Sequence, residues 1–359
     1  MDIRSCGIDL NCWYVVARSS EVKQKPVGVT LWSQAIALYR DTQGKIHALS
    51  DRCPHRFVKL SHGNVIDDLL ECSYHGWRFD NNGTCAAVPY LAANQKLPNC
   101  QIRSYPVEER DGFIWLFPGD VTLAKQQTPL NILEWEHLNY IATVSVIDCA
   151  AHYSYLIENL MDMYHGHLHN SYQAWADPVL QDIYIDELRV DARYQAQSYY
   201  KIDKIWSISQ LFIPSLRRLH PEPLNVSYIY PHWVSNLGED FKIYCLFCPV
   251  SQQQTRAYLI HFTSLNSFWR LHKLPIAFRR FVKNSLFGSA QKLLDGLVKQ
   301  DIQMIEEEQQ AYLTQPKLKN YELNRALIDV QKLILARAKQ TDLEHQGNSY
   351  YLDSYKNSN

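Results

Sequence analysis

Cysteine and histidine occur as two short mixed pairs between Asp51 and Asp80: Cys53 and His55 in DRCPHRFVKL, then Cys72 and His75 in ECSYHGWRFD. The pattern is Cys-x-His, sixteen residues, then Cys-x-x-His. Thiolates are soft ligands and imidazoles borderline ones, a set that suits zinc or an iron–sulfur cluster. A zinc finger draws two Cys from one turn and two His from another. Here each loop supplies one of each, which suits a two-iron cluster with both thiolates on one iron and both imidazoles on the other. Two neutral rings in place of two thiolates leave the cluster less negative and easier to reduce, as an electron relay requires. A structural zinc site on the same ligands is the alternative. Pro54 stiffens the first loop, and Gly76 lets the second turn tightly.

A relay accounts for only the first part of a 359-residue chain. The next dense constellation is ENLMDMYHGHLHN, 158–170, inside a segment (151–170) that reads as a helix. Residues three and four apart share a helix face, and Glu158, Asp162, His165 and His169 step by four, three and four. His165 and His169 can therefore grip one metal ion from consecutive turns, with His167 turned away. Two imidazoles and one carboxylate with open positions opposite make the triad of non-haem iron(II) oxygenases. Asp162, one turn from His165, is placed to accept a hydrogen bond from its ring and fix the tautomer. The plain alternative is a His-rich solvated helix.

The elements that must position these groups differ along the chain. From Trp13 to Pro118 the runs WYVVARS, AIALYRD, KIHALS and GFIWLF read as short strands, with hairpin turns at DTQG (41–44) and DNNG (80–83). FPGD and the polar VTLAKQQTP place a domain boundary near 120. Strand-like runs return from 181 to 265, among them FKIYCLFCPV and RAYLIHFTS. A helical tail covers about 275–338; its run SAQKLLDGLVKQDIQMIEEEQQAYL carries apolar positions at three- and four-residue steps, and Pro316 ends it. The expected division is 1–120, 121–340 and a polar tail, 341–359.

Bulk composition excludes several classes. Hydrophobic residues make up 46% and charged residues 20%, a globular mix, and a net charge of −1 argues against nucleic acid as a partner. Nine scattered cysteines do not make a disulfide scaffold. The start, MDIRSCGIDLNCWYVV, has no apolar core of a signal peptide, and no apolar run is long enough to span a bilayer. Cytoplasm is the expected compartment.

CPHR and CSYHGWRFD, followed by a Gly and a Pro, resemble a Rieske domain over about residues 12–118. The resemblance implies Cys53 and Cys72 on one iron of a [2Fe–2S] cluster, with His55 and His75 on the other. Cys85 and Cys100 lie outside the motif and read as small core residues. Glu158, Asn159, Asp162 and His165 are similar to the pattern of Rieske-type aromatic-ring-hydroxylating oxygenases. That pattern would set the second His four residues on, at Asn170; His169 is the candidate and His167 its alternative. The resemblance further implies a mononuclear Fe(II) whose third ligand is an Asp late in the chain, for which Asp301 in KQDIQMIEEEQQ is the candidate. Asp295 and Glu306 to Glu308 are the alternatives. It implies an α+β architecture, an all-β Rieske domain followed by a helix-grip catalytic domain with an antiparallel sheet. It also implies a homotrimer in which Asp162 links His165 to His75 of a neighbouring copy.

No G-x-G-x-x-G motif is present, so electrons are expected from a separate ferredoxin or reductase. O2 and a hydrophobic or aromatic small molecule are the expected co-substrates, with mono-oxygenation favoured over cis-dihydroxylation. A non-catalytic electron carrier or redox sensor is the rival function. Tyr199, Tyr200, Trp206, Phe212, Tyr228, Tyr230, Trp233 and Phe262 are candidates to line an apolar cavity, or else ordinary sheet core. Cys245 and Cys248 form a C-x-x-C inside a strand, where redox use is not expected. The basic, aromatic segment 268–288 suits three roles: peripheral contact with an anionic membrane, an acidic ferredoxin, or an amphipathic cap on the sheet.

Overall fold

A computed structural model describes residues 2–92, 94–166, 175–198, 220–238, 241–265, 274–315 and 320–347, with backbone alone at 280, 282–294, 297 and 339–347. Two compact units emerge: Ile8–Asn131 with Cys248–Ser251, and Met1–Gly7, Ile132–Phe247 and Gln252–Asn359. The division thus falls at 131/132 rather than near 120, and the reason is polar. The segment after FPGD folds back on its own unit: Trp13 Nε1–H donates to Gln127 O at 3.3 Å, and Arg110 reaches Asn131 Oδ1 at 2.9 Å.

The first unit contains ten short strands: β1 (Tyr14–Arg18), β2 (Val27–Leu31), β3 (Gln34–Arg40), β4 (Ile46–Ser50), β5 (Asn64–Ile66), β6 (Leu69–Glu71), β7 (Arg78–Phe79), β8 (Cys85–Ala87), β9 (Val107–Arg110) and β10 (Phe113–Leu116). A four-residue helix, α1 (Val121–Ala124), follows. The strands form antiparallel sheets in the orders β1-β10-β9, β2-β3-β4 and β5-β6-β7-β8. Consecutive apolar runs, Ile36–Tyr39 and Phe113–Leu116, are buried on both faces. Both expected hairpin turns are present: Gly44 (φ 82°) and Gly83 (φ 83°) close them with N–H bonds to Asp41 O and Asp80 O.

Among its described residues, the second unit is a seven-stranded antiparallel sheet with few helices. Its strands are β11 (Tyr140–Cys149), β12 (Trp175–Ile185), β13 (Arg189–Ser198), β14 (His220–Ile229), β15 (His232–Leu237), β16 (Phe241–Ser251) and β17 (Gln254–Ser264). The order β11-β17-β16-β15-β14-β13-β12 makes β12 to β17 a meander, with β11 added in ten-residue register from Tyr140↔Ser264 to Cys149↔Thr255. Val190, Ala192, Tyr194, Ala196 and Ser198 alternate as the buried face of β13. The helices among its described residues are α2 (Tyr153–Met161), α3 (Ile276–Thr314) and α4 (Arg325–Gly347). α3 is tied to β11 by a hydrogen bond between Ser145 and Asp295. None of the described helices is long and apolar enough to cross a membrane.

Two expectations change here. The helix expected over 151–170 stops at Met161, and Asp162 leaves helical geometry at φ −85°, ψ 105°. The Asp162 side chain accepts the N–H of Tyr164 at 3.0 Å, a local turn that competes with the next helical bond. The helical tail pauses after Thr314 and resumes to Gly347, past the point where a polar tail was expected.

Candidate metal centres

The two Cys-His loops share one backbone design. Cys53 N–H donates to Val58 O (2.9 Å) and Phe57 N–H to Cys53 O (2.7 Å); Cys72 N–H donates to Trp77 O (2.8 Å) and Gly76 N–H to Cys72 O (3.0 Å). The fifth residue of each loop is left-handed, Phe57 at φ 57° and Gly76 at φ 69°. Gly76 is also required by close approach, because a Cβ there would meet Pro89 Cγ at 2.9 Å. The thiols of Cys53 and Cys72 are buried, and the rings of His55 and His75 stand edge to face at 4.5 Å. The four side chains fit a cluster on two counts. His55 Nδ1 is buried with no hydrogen-bond partner among the described residues, as a nitrogen waiting for a metal would be. Burial pushes the Cys53 thiol up to about 12, so a thiolate there needs a cation to stabilise it. Trp77 stacks on His55 (4.9 Å, 6°) and donates its Nε1–H to Tyr90 OH at 2.7 Å, which fixes the imidazole plane.

The second constellation is assembled over long sequence distances. α2 delivers Asp162 as its C-cap, and His165 follows in a turn. His165 Nδ1 lies 3.6 Å from Asp162 Oδ2, and His165 Nε2 lies 3.8 Å from Asp301 Oδ1 on α3. The second distance is too long for a hydrogen bond but suits two donors sharing one ion at about 2.1 Å each. Asp162 Oδ1 is occupied by Tyr164 N–H and by Asn324 Nδ2–H at 3.1 Å. Burial alone would raise the Asp162 carboxyl, but the His165 ring, Tyr164 N–H and Asn324 together hold it below its usual range. Burial alone would lower His165; the two carboxylates outweigh it and raise it. His167 and His169 lie outside the described residues, as do Tyr199, Tyr200, Trp206 and Phe212.

Three of the four other acids on α3 are hydrogen-bonded elsewhere, Asp295 to Ser145, Glu306 to Ala150 N–H (2.8 Å) and Glu307 to Gln303 (3.2 Å), and burial raises the fourth, Glu308, which lies in the field of Arg4 and Glu158. Glu158 points away from the His165 turn and forms a two-pronged ion pair with Arg4, at 2.7 and 2.8 Å. Asn159 sits on the last turn of α2, where its carbonyl accepts Asp162 N–H. Tyr228, Tyr230, Trp233 and Phe262 are buried in the sheet. Cys245 and Cys248, three apart on β16, face opposite sides and do not meet.

Sequence reasoning missed the groups that hold α2 in place. Arg4 also contacts Ser154 Oγ at 2.5 Å and lies 3.5 Å over the Tyr155 ring. His152, the N-cap, accepts from Ser154 and donates from Nε2 to Cys6 O at 3.1 Å; its own N–H donates to Gln309 Oε1 at 2.9 Å. Gly166 packs against Trp175, whose Nε1–H donates to Met163 O at 2.9 Å. No local spacing relates these residues, and no sequence signal pointed to them.

Known proteins share the first domain and the fold. The family model for the Rieske [2Fe–2S] domain matches residues 12–106. The 4β-methylsterol monooxygenase of Methylococcus capsulatus is 31% identical, over 96% of this chain and 93% of its own length. The dicamba O-demethylase oxygenase component of Stenotrophomonas maltophilia is 39% identical over 44% of this chain and 46% of its own. Among solved structures, dicamba monooxygenase bound to 3,6-dichlorosalicylic acid superposes with TM-score 0.75 at 21% identity, over 94% of this chain and 99% of that one. The fold and the cluster loops thus define a Rieske [2Fe–2S] protein with a large antiparallel second domain. The chain belongs to the Rieske oxygenase family, and it is an oxidoreductase of the oxygenase type.

Proposed function

We propose that the chain is the terminal oxygenase of a Rieske system. It takes electrons from a separate ferredoxin or reductase and uses O2 to oxidise a hydrophobic or aromatic small molecule, by hydroxylation or demethylation before dihydroxylation. Cys53 and Cys72 hold one cluster iron, and His55 and His75 the other. His165, Asp301 and His169, with His167 as the alternative, hold a mononuclear Fe(II). When bound, the cluster supplies electrons and the mononuclear iron supplies the oxygen chemistry.

The observation that carries this reading is the His165 ring set between two carboxylates on its two nitrogens. Asp162 faces Nδ1 and favours a proton there, which leaves Nε2 as a lone-pair donor facing Asp301. Asn324 and Tyr164 N–H fix Asp162 so that it cannot swing away. Similarity along nearly the whole chain to a methylsterol monooxygenase, and over part of it to an O-demethylase component, supports an apolar substrate.

In the assembled enzyme, a head-to-tail homotrimer, Asp162 links His165 to the cluster of the neighbouring copy. The compartment is the cytoplasm. Exposed Ile276, Phe278 and Phe281 at the start of α3 support a peripheral membrane contact through 268–288. Flotation with anionic liposomes checks that contact, and no co-flotation refutes it. The functional test is Asp162→Ala with 18O2 and the electron donor: both metals stay bound, and labelled product falls by about a hundredfold or more. Turnover at the wild-type rate would overturn the role given to Asp162.

A further inference from the structure

Cys85, at the start of β8, lies directly across from Cys100. Thr84 bridges Gln101, Cys85 N–H donates to Cys100 O at 3.2 Å, and Ile102 N–H donates to Gly83 O at 2.9 Å. Cys85 and Cys100 therefore face each other beside an isolated antiparallel bridge, joined by one N–H···O bond while Cys100 N–H turns to Pro98 O, and facing residues of antiparallel pairs have Cα atoms roughly 4.5–5.5 Å apart. Disulfides favour roughly 5.5–6 Å. Cys85 is buried, while Cys100 is half-buried and reachable from solvent.

The chain between them touches the cluster loops. Pro89 packs on Gly76, and Tyr90 OH accepts from Trp77, the ring stacked on His55. We propose that Cys85 and Cys100 form a reversible dithiol–disulfide site, oxidised by hydrogen peroxide, that locks the 86–99 loop against the cluster loops. Burial raises both thiols, Cys85 to about 11. Cys100, the half-buried thiol that peroxide can reach, is the attacking sulfur, and buried Cys85 is the resolving one.

The Cys100 thiolate attacks one peroxide oxygen, the O–O bond breaks, and hydroxide leaves to be protonated to water; the sulfur becomes a sulfenic acid. The Cys85 sulfur then attacks the Cys100 sulfur, the S–O bond breaks, and a second water leaves with the Cys85 proton. The sum is two thiols and one hydrogen peroxide giving one disulfide and two waters. A small dithiol reverses it by exchange.

The inference goes beyond the oxygenase reading and does not depend on the mononuclear iron. Cluster-loaded protein, reduced with dithiothreitol and desalted, is treated with a few equivalents of hydrogen peroxide, blocked with N-ethylmaleimide and mapped by mass spectrometry without reduction. The expected result is a linked Cys85–Cys100 peptide while cluster absorbance persists, reversed by dithiothreitol. In Cys85→Ser, dimedone labels Cys100; if that variant does not fold, the wild-type map alone decides. The oxidised protein loses its cluster to a chelator several-fold more slowly than the reduced protein. Maleimide on both thiols at peroxide levels that spare the cluster overturns the proposal. So does a linked peptide that appears only after the cluster has bleached. Equal chelation rates overturn the locking role.

Discussion

The cluster site and the His165 site differ in how the chain builds them. Cys53, His55, Cys72 and His75 sit on two loops whose own backbone bonds, Cys53 to Val58 and Cys72 to Trp77, set their geometry. The His165 site has no such template. Asp162 and His165 follow α2, Asp301 comes from α3, and Asn324 precedes α4. Arg4 anchors α2 from 154 residues away. Local hydrogen bonds preorganise the first site; buried contacts of high sequence separation must align the second.

The contrast predicts that each site can be broken without the other. The largest effect is loss of a metal: Cys53→Ser abolishes the cluster's visible absorbance and EPR signal. His165→Ala leaves that signal intact and abolishes product formation. Loss of the cluster signal in His165→Ala would show that the sites are not independently built.

Next comes the anchor. Burial opposes the charge on Arg4, but Glu158 outweighs it and keeps the guanidinium protonated. Arg4→Met leaves Glu158 buried without its partner and should cost about 3–5 kcal/mol in denaturant unfolding of the second unit. The cluster spectrum should not change. A cost under about 1 kcal/mol would remove Arg4 from the account.

The same anchor carries a pH dependence. Burial is the main cause that lowers His152 from 6.5 to about 4, and the helix start it caps disfavours a cation. The unfolded chain therefore binds a proton that the folded chain refuses between those values. Stability should fall as pH drops from 6.5 toward 4, by about 3 kcal/mol from this residue. His152→Gln should flatten that part of the curve; an unchanged slope would assign it to other groups.

The smallest effects lie in the cluster loops. Phe57→Gly relieves a left-handed non-glycine residue and should stabilise the first unit by about 1 kcal/mol. Gly76→Ala meets both the positive φ and Pro89, and should destabilise by about 1–2 kcal/mol. Thermal shifts of equal sign in the two variants would refute the shared loop design.

The same difference explains what could be read from the chain. The two Cys-His loops and their spacing were legible because every determinant is local, down to the glycine at 76. The strand runs and hairpin turns of the first unit were legible for the same reason. At the second site, residue types pointed to Asp162, His165 and Asp301, but the geometry drawn from them did not hold. An unbroken helix through His165 was expected, and the Asp162 side chain ends it by bonding Tyr164 N–H. Glu158 was placed on the metal face, and Arg4 draws it away. Periodicity reports neighbours on one helix; it cannot report a partner 154 residues distant.

Iron quantitation tests the central claim most directly: one chain builds both a local cluster site and a long-range mononuclear site. Protein loaded anaerobically and freed of loose metal should hold about three iron atoms per chain in the wild type and about two in His165→Ala, with identical cluster signals. About two iron atoms in both proteins would contradict the account and leave an electron carrier in its place.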